Sequence, residues 1–336
     1  VADTLEEPLA NNPSRTSAHK PLRNTPKGTG KSGNPAAREI QEIPKARLGD
    51  WINGARPFTL SMAVAPVAIG TGAAIFASDP GVYHWVRALL CLVIAVALQI
   101  GVNFANDYSD GIRGTDQHRV GPSRLVGSGR APARKVFTVA MTFFGIAAVA
   151  GLAQVIISGI WWLLIVGVLA IVAAWYYTGG KRPYGYMGLG ELFVFVFFGL
   201  VATLGTTYVQ IGAVTQPAIA GGIAVGFIAV ATLMVNNLRD IEQDKIAGKR
   251  TLSVRIGGTA TRISYAVLLL LALGLAIWLA IFIPLVWVTL FSLLVMIPAI
   301  IIVLTGKTAR EFVLVLKLTG VLQLVFGLTL GFGLAF

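Results

Sequence analysis

A lone cysteine, Cys91, excludes an intrachain disulfide, and beside only three histidines it leaves no thiolate- or imidazole-rich zinc cluster. Charge is scarce too. Asp, Glu, Lys and Arg make up 12% of the 336 residues, against roughly a quarter in soluble domains. Acids are the scarcer sign, 15 against 27 Lys and Arg, for a net charge of +12. In a soluble protein that excess would point to nucleic acid. Here 55% of residues are hydrophobic, the mean hydropathy is +0.75, and no nucleic-acid partner is expected. The solvent of this chain is a lipid bilayer.

Residues 1–47 are polar, rich in Pro, Asn, Ser, Gly and Lys/Arg, and lack a sustained apolar period, so they read as a disordered cytoplasmic tail. Asp3, Glu6 and Glu7, and the lack of an apolar core before a small-residue cleavage site, argue against a signal or transit peptide. Targeting is then expected from the first membrane span. Residues 48–336 form the membrane domain. Apolar runs recur there over 57–77, 86–106, 135–155, 159–177, 189–211, 217–238, 263–283, 285–304 and 313–335. Each is long enough to cross roughly 30 Å of hydrocarbon as a helix. The expected fold is all-α, a polytopic bundle of about nine transmembrane helices. Ser158-Gly159, Thr215-Gln216-Pro217 and Pro284 separate pairs of runs without charge and predict tight helical hairpins.

All but one of the basic residues fall on one side of this topology, Arg87 being the exception. The positive-inside rule therefore puts the N-terminus in the cytoplasm of a cell whose plasma membrane the chain crosses, and nine spans put the C-terminus outside.

Two loops on the basic side carry acids. The second run ends in Asn103-x-x-Asn106-Asp107-Tyr108-Ser109-Asp110, where Asn103/Asp107 and Asn106/Asp110 are four apart and share a side if the helix continues. The sixth run ends in Asn236-Asn237-Leu238-Arg239-Asp240, with Asn236, Asp240 and Asp244 again at intervals of four. Carboxylates at a helix C-terminus face an already negative dipole, so a bound cation is expected. Each cluster precedes a basic, glycine-containing stretch, 119–130 and 245–251. Acids beside Lys/Arg beside exposed backbone suit a Mg²⁺–diphosphate complex, in which one or two carboxylates hold a metal that substrate phosphates complete.

These residues carry a resemblance. Asn106-Asp107-x-x-Asp110 and Asp240-x-x-x-Asp244 resemble the paired aspartate motifs of the UbiA superfamily of intramembrane aromatic prenyltransferases, and the likeness spans nearly all of residues 51–336. The surrounding words resemble its 1,4-dihydroxy-2-naphthoate prenyltransferase branch. They are Asn106-Asp107-Tyr108-x-Asp110-Gly111, Gly121-Pro122-x-Arg124-Leu125-Val126, Arg56-Pro57-x-Thr59 and Gly188-Leu189-Gly190-Glu191. One position departs from the general motif: four residues after Asp110 stands Gly114, and the nearest acid is Asp116.

The resemblance implies Mg²⁺-dependent transfer of a polyprenyl group from polyprenyl diphosphate to 1,4-dihydroxy-2-naphthoate, with loss of CO₂ and pyrophosphate, giving demethylmenaquinone. It implies Asn106, Asp107, Asp110, Asp116, Asp240 and Asp244 as metal ligands and Asn236 as a neighbour on the second face. Arg56, Arg124, Lys181, Arg182, Lys249 and Arg250 are candidates for the diphosphate clamp, Arg124 foremost. Tyr177, in Trp175-Tyr176-Tyr177, offers an aromatic face to an allylic cation. Glu191, an acid near the start of a span, is a functional candidate by cost alone and is expected to orient the acceptor or handle a proton. Another phenol, such as 4-hydroxybenzoate or homogentisate, is the alternative acceptor. A transporter is the alternative class, disfavoured because the charges collect at one end of the helices rather than at mid-depth.

Overall fold

The computed structural model describes residues 43–78, 84–115 and 124–336. Most of the expected tail, 1–42, and Asp116 lie outside these residues. The described chain is helical, without a strand. A short amphipathic helix α1 (Leu48–Ala55) leads through the turn Pro57–Thr59 into α2 (Ser61–Phe76), the two bent by 44°. The long helices that follow are α3 (Trp85–Arg113), α4 (Ala133–Ser158), α5 (Leu163–Tyr176), α6 (Gly190–Ile211) and α7 (Gln216–Arg239). After the short helix α8 (Ile241–Ile246) come α9 (Leu252–Phe282), α10 (Pro284–Thr305) and α11 (Ala309–Ala335).

Seven of these helices are long and apolar enough to cross a membrane, eight if the bent pair counts as one span. Among the described residues the expected count of nine is not confirmed. The fourth run is where it falls short: α5 has 14 residues, about 21 Å of helix, because Ile160–Trp162 are spent in the turn after α4. The expected hairpin signals do end helices. Gly159 stops α4 at φ 73°, a conformation that a side chain disfavours. Thr215 caps α7 by accepting from the Ala218 N–H, with Pro217 in the first turn.

The core divides into two main clusters. The larger is built by α2, α7, α9, α10 and α11 around fully buried Ile69, Ile228, Tyr265 and Phe326. Helix α7 is its centre, with 83% of its apolar window buried, whereas α3 and α4 bury about a third of theirs. Backbones touch where glycines meet: a Cβ on Gly72 would lie 2.1 Å from the Gly331 carbonyl oxygen, and one on Gly199 2.7 Å from Gly226 Cα. Gly199 sits in a π-helical stretch, Phe195–Val201, inside α6. A smaller cluster packs α3 and α4 on the loop after residue 124, through Phe104, Leu125, Ala131 and Phe144.

Candidate active site

A cavity of about 710 Å³ opens among α3, α4, α5, α6 and the C-terminal end of α7. Arg56, Asn106, Asp107, Asp110, Arg124, Tyr177, Asn236, Asp240, Asp244 and Lys249 all line it, so ten of the expected site residues come together. Glu191 does not line it but is buried beside it, accepting a hydrogen bond of 3.0 Å from the lining residue Asn237. Lys181, Arg182 and Arg250 are exposed and outside it.

Helix α3 continues to Arg113, which puts Asn103, Asn106, Asp107 and Asp110 on regular helix, all at most 6% exposed. Gly114 then ends it in the left-handed conformation, φ 72°. The second acidic segment is not one helix. Asp240 leaves helical geometry at φ −103°, ψ 10°, so α7 ends before it and α8 begins after it. The Asp240 carbonyl nonetheless accepts the Asp244 N–H at 2.8 Å, which keeps both acids at the mouth of the cavity.

The acids differ in what they hold. Asp107 accepts the backbone N–H groups of Leu125 at 2.9 Å and Val126 at 3.0 Å, one on each carboxylate oxygen, and so fastens the following loop to α3. Asp110 meets Arg124 Nη1 at 3.0 Å and accepts a hydrogen bond from the Tyr186 hydroxyl. Lys249 Nζ lies 3.6 Å from Asp110 Oδ1 and 3.9 Å from Asp244 Oδ1, bridging the two clusters, and stands 4.5 Å above the Tyr186 ring. Arg239 forks onto Asp240, Nε to Oδ1 at 2.8 Å and Nη2 to Oδ2 at 2.5 Å, and also reaches Asn236 Oδ1 at 3.1 Å. Asn106 Oδ1 accepts from the Thr178 hydroxyl at 2.6 Å. Arg56, at the bend before α2, has φ 53°, the one positive value outside glycine among the described residues.

Tyr186, Asn237 and Arg239 escaped the sequence reading. Tyr186 joins three segments: its hydroxyl donates to Asp110, its carbonyl accepts the Arg250 N–H at 2.8 Å, and its ring lies under Lys249. Burial, and then the Asp110 charge, push its phenol well above the usual tyrosine range, so it remains a donor. No local pattern announces such a residue. Asn237 had a signal, as the second of two adjacent amides before Arg239-Asp240.

Among the described residues, no three or more His, Cys, Asp or Glu side chains converge closely enough to hold a metal ion. What is gathered is a split set of hard oxygens, Asn106 and Asp110 from one side, Asp240 and Asp244 from the other. Such a set suits Mg²⁺, which takes one or two carboxylates and completes its shell with phosphate and water. The Lys249 ammonium between Asp110 and Asp244 marks the point where they attract a cation. Away from this charged mouth the lining turns apolar, with Leu98, Val102, Ile171, Phe193 and Phe197. One end therefore suits a metal-bound polyanion and the other a hydrocarbon.

The chain has known relatives. A family model described as the UbiA prenyltransferase family matches residues 63–332. The chain is 48% identical over 291 residues to a 1,4-dihydroxy-2-naphthoate octaprenyltransferase of Mycobacterium tuberculosis, covering 87% of this chain and 98% of that protein. It is 38% identical over 231 residues to the protein of that name from Escherichia coli, covering 67% and 74%. Among solved structures, a UbiA homolog from Archaeoglobus fulgidus bound to GPP and Mg²⁺ superposes with a TM-score of 0.60 at 17% identity, covering 85% of this chain and 99% of the other. An apo UbiA homolog from Aeropyrum pernix gives 0.62 at 16% identity, covering 81% and 96%.

Proposed function

The chain belongs to the UbiA prenyltransferase family, a multi-pass membrane family, and from that premise we propose that it moves a polyprenyl group from its diphosphate to 1,4-dihydroxy-2-naphthoate. CO₂ and pyrophosphate leave, and the product is the prenylated naphthoquinol, the reduced form of demethylmenaquinone. The observation that carries this reading is Lys249, whose ammonium spans the acids of two separate helices at the mouth of an apolar cavity.

Asp110, Asp240 and Asp244, with Asn106, are the residues that would hold Mg²⁺ on the diphosphate. Bound there, the ion supplies Lewis acidity to the leaving group. Arg124, Lys249 and Arg56 line the same mouth, and their charges neutralise phosphate oxygens as the allylic carbon–oxygen bond breaks. Tyr177, Tyr184 and Phe193 present aromatic faces next to that mouth, where an allylic cation forms and water must be excluded. The ring carbon attacked carries the carboxylate and no hydrogen, so departure of CO₂ returns the electron pair to the ring and no ring proton has to be removed. Glu191, held by Asn237, then serves to orient an acceptor hydroxyl rather than to act as a base.

Residues 48–336 form the catalytic membrane domain on this reading. The mouth faces the cytoplasm, where the sequence places nearly all its basic residues, with the C-terminus on the far side.

The test is transfer from labelled polyprenyl diphosphate with Mg²⁺ and a panel of aromatic acceptors, using detergent-solubilised wild type, Asp110→Asn and Asp240→Asn. Prenylated naphthoquinol with CO₂ release, abolished by chelation and by either substitution, supports the proposal. Transfer to another phenol alone replaces the acceptor. No transfer by folded protein to any acceptor refutes the enzyme.

A further inference from the structure

The cavity does not end at the chemistry. It follows α3 from Asp107 to Cys91, about 24 Å of helix. Its outer half is lined by Cys91, Gly151, Gln154, Gly167, Gly205 and Thr206.

Three of these are glycines on three different helices, α4, α5 and α6. Their surroundings are the opposite of those in the core. A Cβ on Gly72, Gly199 or Gly331 would run into backbone, whereas one on Gly151, Gly167 or Gly205 would meet nothing within 4 Å. Glycine inside a helix is unfavourable relative to alanine. In the core, close backbone approach offsets that; along the cavity wall no contact does, and what the missing side chains leave is room.

In the wall of this open stretch stands Gln154, 3% exposed, with neither amide atom hydrogen-bonded. Buried amides are ordinarily satisfied. This one adds a polar point to a largely apolar stretch of wall, where a hydrocarbon gains least.

We propose that Gly151, Gly167 and Gly205 determine the length of polyprenyl chain the protein accepts, by keeping the outer half of the cavity open to the distal isoprene units. The inference rests on the prenyl transfer proposed above. A short chain reaches the acids at the mouth without entering this half; a long one needs it.

The experiment measures transfer from geranyl diphosphate and from octaprenyl diphosphate by the full-length protein and its Gly151→Leu, Gly167→Leu and Gly205→Leu variants. Gly145→Leu is the control, since Gly145 shares α4 and open surroundings but does not line the cavity. Leucine at the three lining positions is expected to lower kcat/KM for octaprenyl diphosphate by about tenfold or more. Geranyl transfer should stay within about twofold of wild type, which also reports an intact mouth. Gly145→Leu should change neither. Equal losses with both substrates at all three positions, or no change at any, overturn the proposal. Wild type that transfers neither chain refutes the prenyl transfer itself, and this inference with it.

Discussion

Asp110 and Asp244 come from helices far apart in the chain and face one ammonium, that of Lys249, at 3.6 and 3.9 Å. Lys249 is 14% exposed, so the interaction is only partly screened. Lys245, a few residues earlier, pairs with Glu242 in the open, both at least half exposed. Exposed pairs of that kind contribute about 0–1 kcal/mol. Lys249→Met should therefore raise KM for the polyprenyl diphosphate by about tenfold or more, while Lys245→Met leaves it unchanged. Steady-state kinetics with the diphosphate varied would decide it.

Asp107 and Asp110 should fail differently. Both oxygens of Asp107 receive backbone N–H groups, so an amide in its place would turn one donor toward another. Asp107→Asn is expected to loosen the loop after residue 124, seen as faster proteolysis there along with lost activity. Asp110→Asn should leave the proteolysis pattern as it is and cut kcat by about 100-fold or more.

Tyr186→Phe keeps the ring beneath Lys249 but removes the hydrogen bond to Asp110. Losing a bond to a charged group, about 1.5–3 kcal/mol, corresponds to roughly tenfold or more in kcat/KM. The variant also has a pH signature. Because the folded phenol titrates above its unfolded value of about 10, the folded chain keeps a proton that the unfolded chain gives up, and stability falls as pH rises past that point. Thermal unfolding across alkaline pH should show a shallower fall for Tyr186→Phe than for wild type.

Asn237→Leu leaves Glu191 buried without the amide that holds it. If Glu191 orients the acceptor, KM for the naphthoate should rise while KM for the polyprenyl diphosphate does not. An equal rise in both would show that the pair supports the fold alone.

Much of this site could be read along the chain because its acids sit at helical spacing at the ends of apolar runs. That Asn103, Asn106, Asp107 and Asp110 share one helix was legible, since nothing interrupts it before Gly114, but Asp107 spends its oxygens on the following loop and Asp116 lies outside the described residues. The α7 cluster was legible in membership but not in shape: Asp240 carries the Arg239 fork and leaves the helix, which a spacing of four cannot report. Lys181, Arg182 and Arg250 have the same charge as Lys249 and Arg124, and only the packing of three loops separates those that reach the cavity from those that do not. Tyr186 was hidden for the same reason, as its partners lie in two other segments. Helix α5 read as a full span because hydropathy counts the turn residues Trp161 and Trp162 as membrane.

Arg87, the basic residue set apart from the rest, points to the order in which the protein is put together. Its guanidinium donates to the carbonyls of Val209 at 2.8 Å and Ile157 at 3.2 Å, near the ends of α6 and α4, where helix dipoles favour a cation. Those acceptors are synthesised 122 and 70 residues after it. During synthesis the start of α3 must therefore wait for the end of α4 and then the end of α6 before both bonds can form. The seam that Arg87 ties closes only once α6 is made, and a ribosome stalled before α6 would leave it fastened to α4 alone.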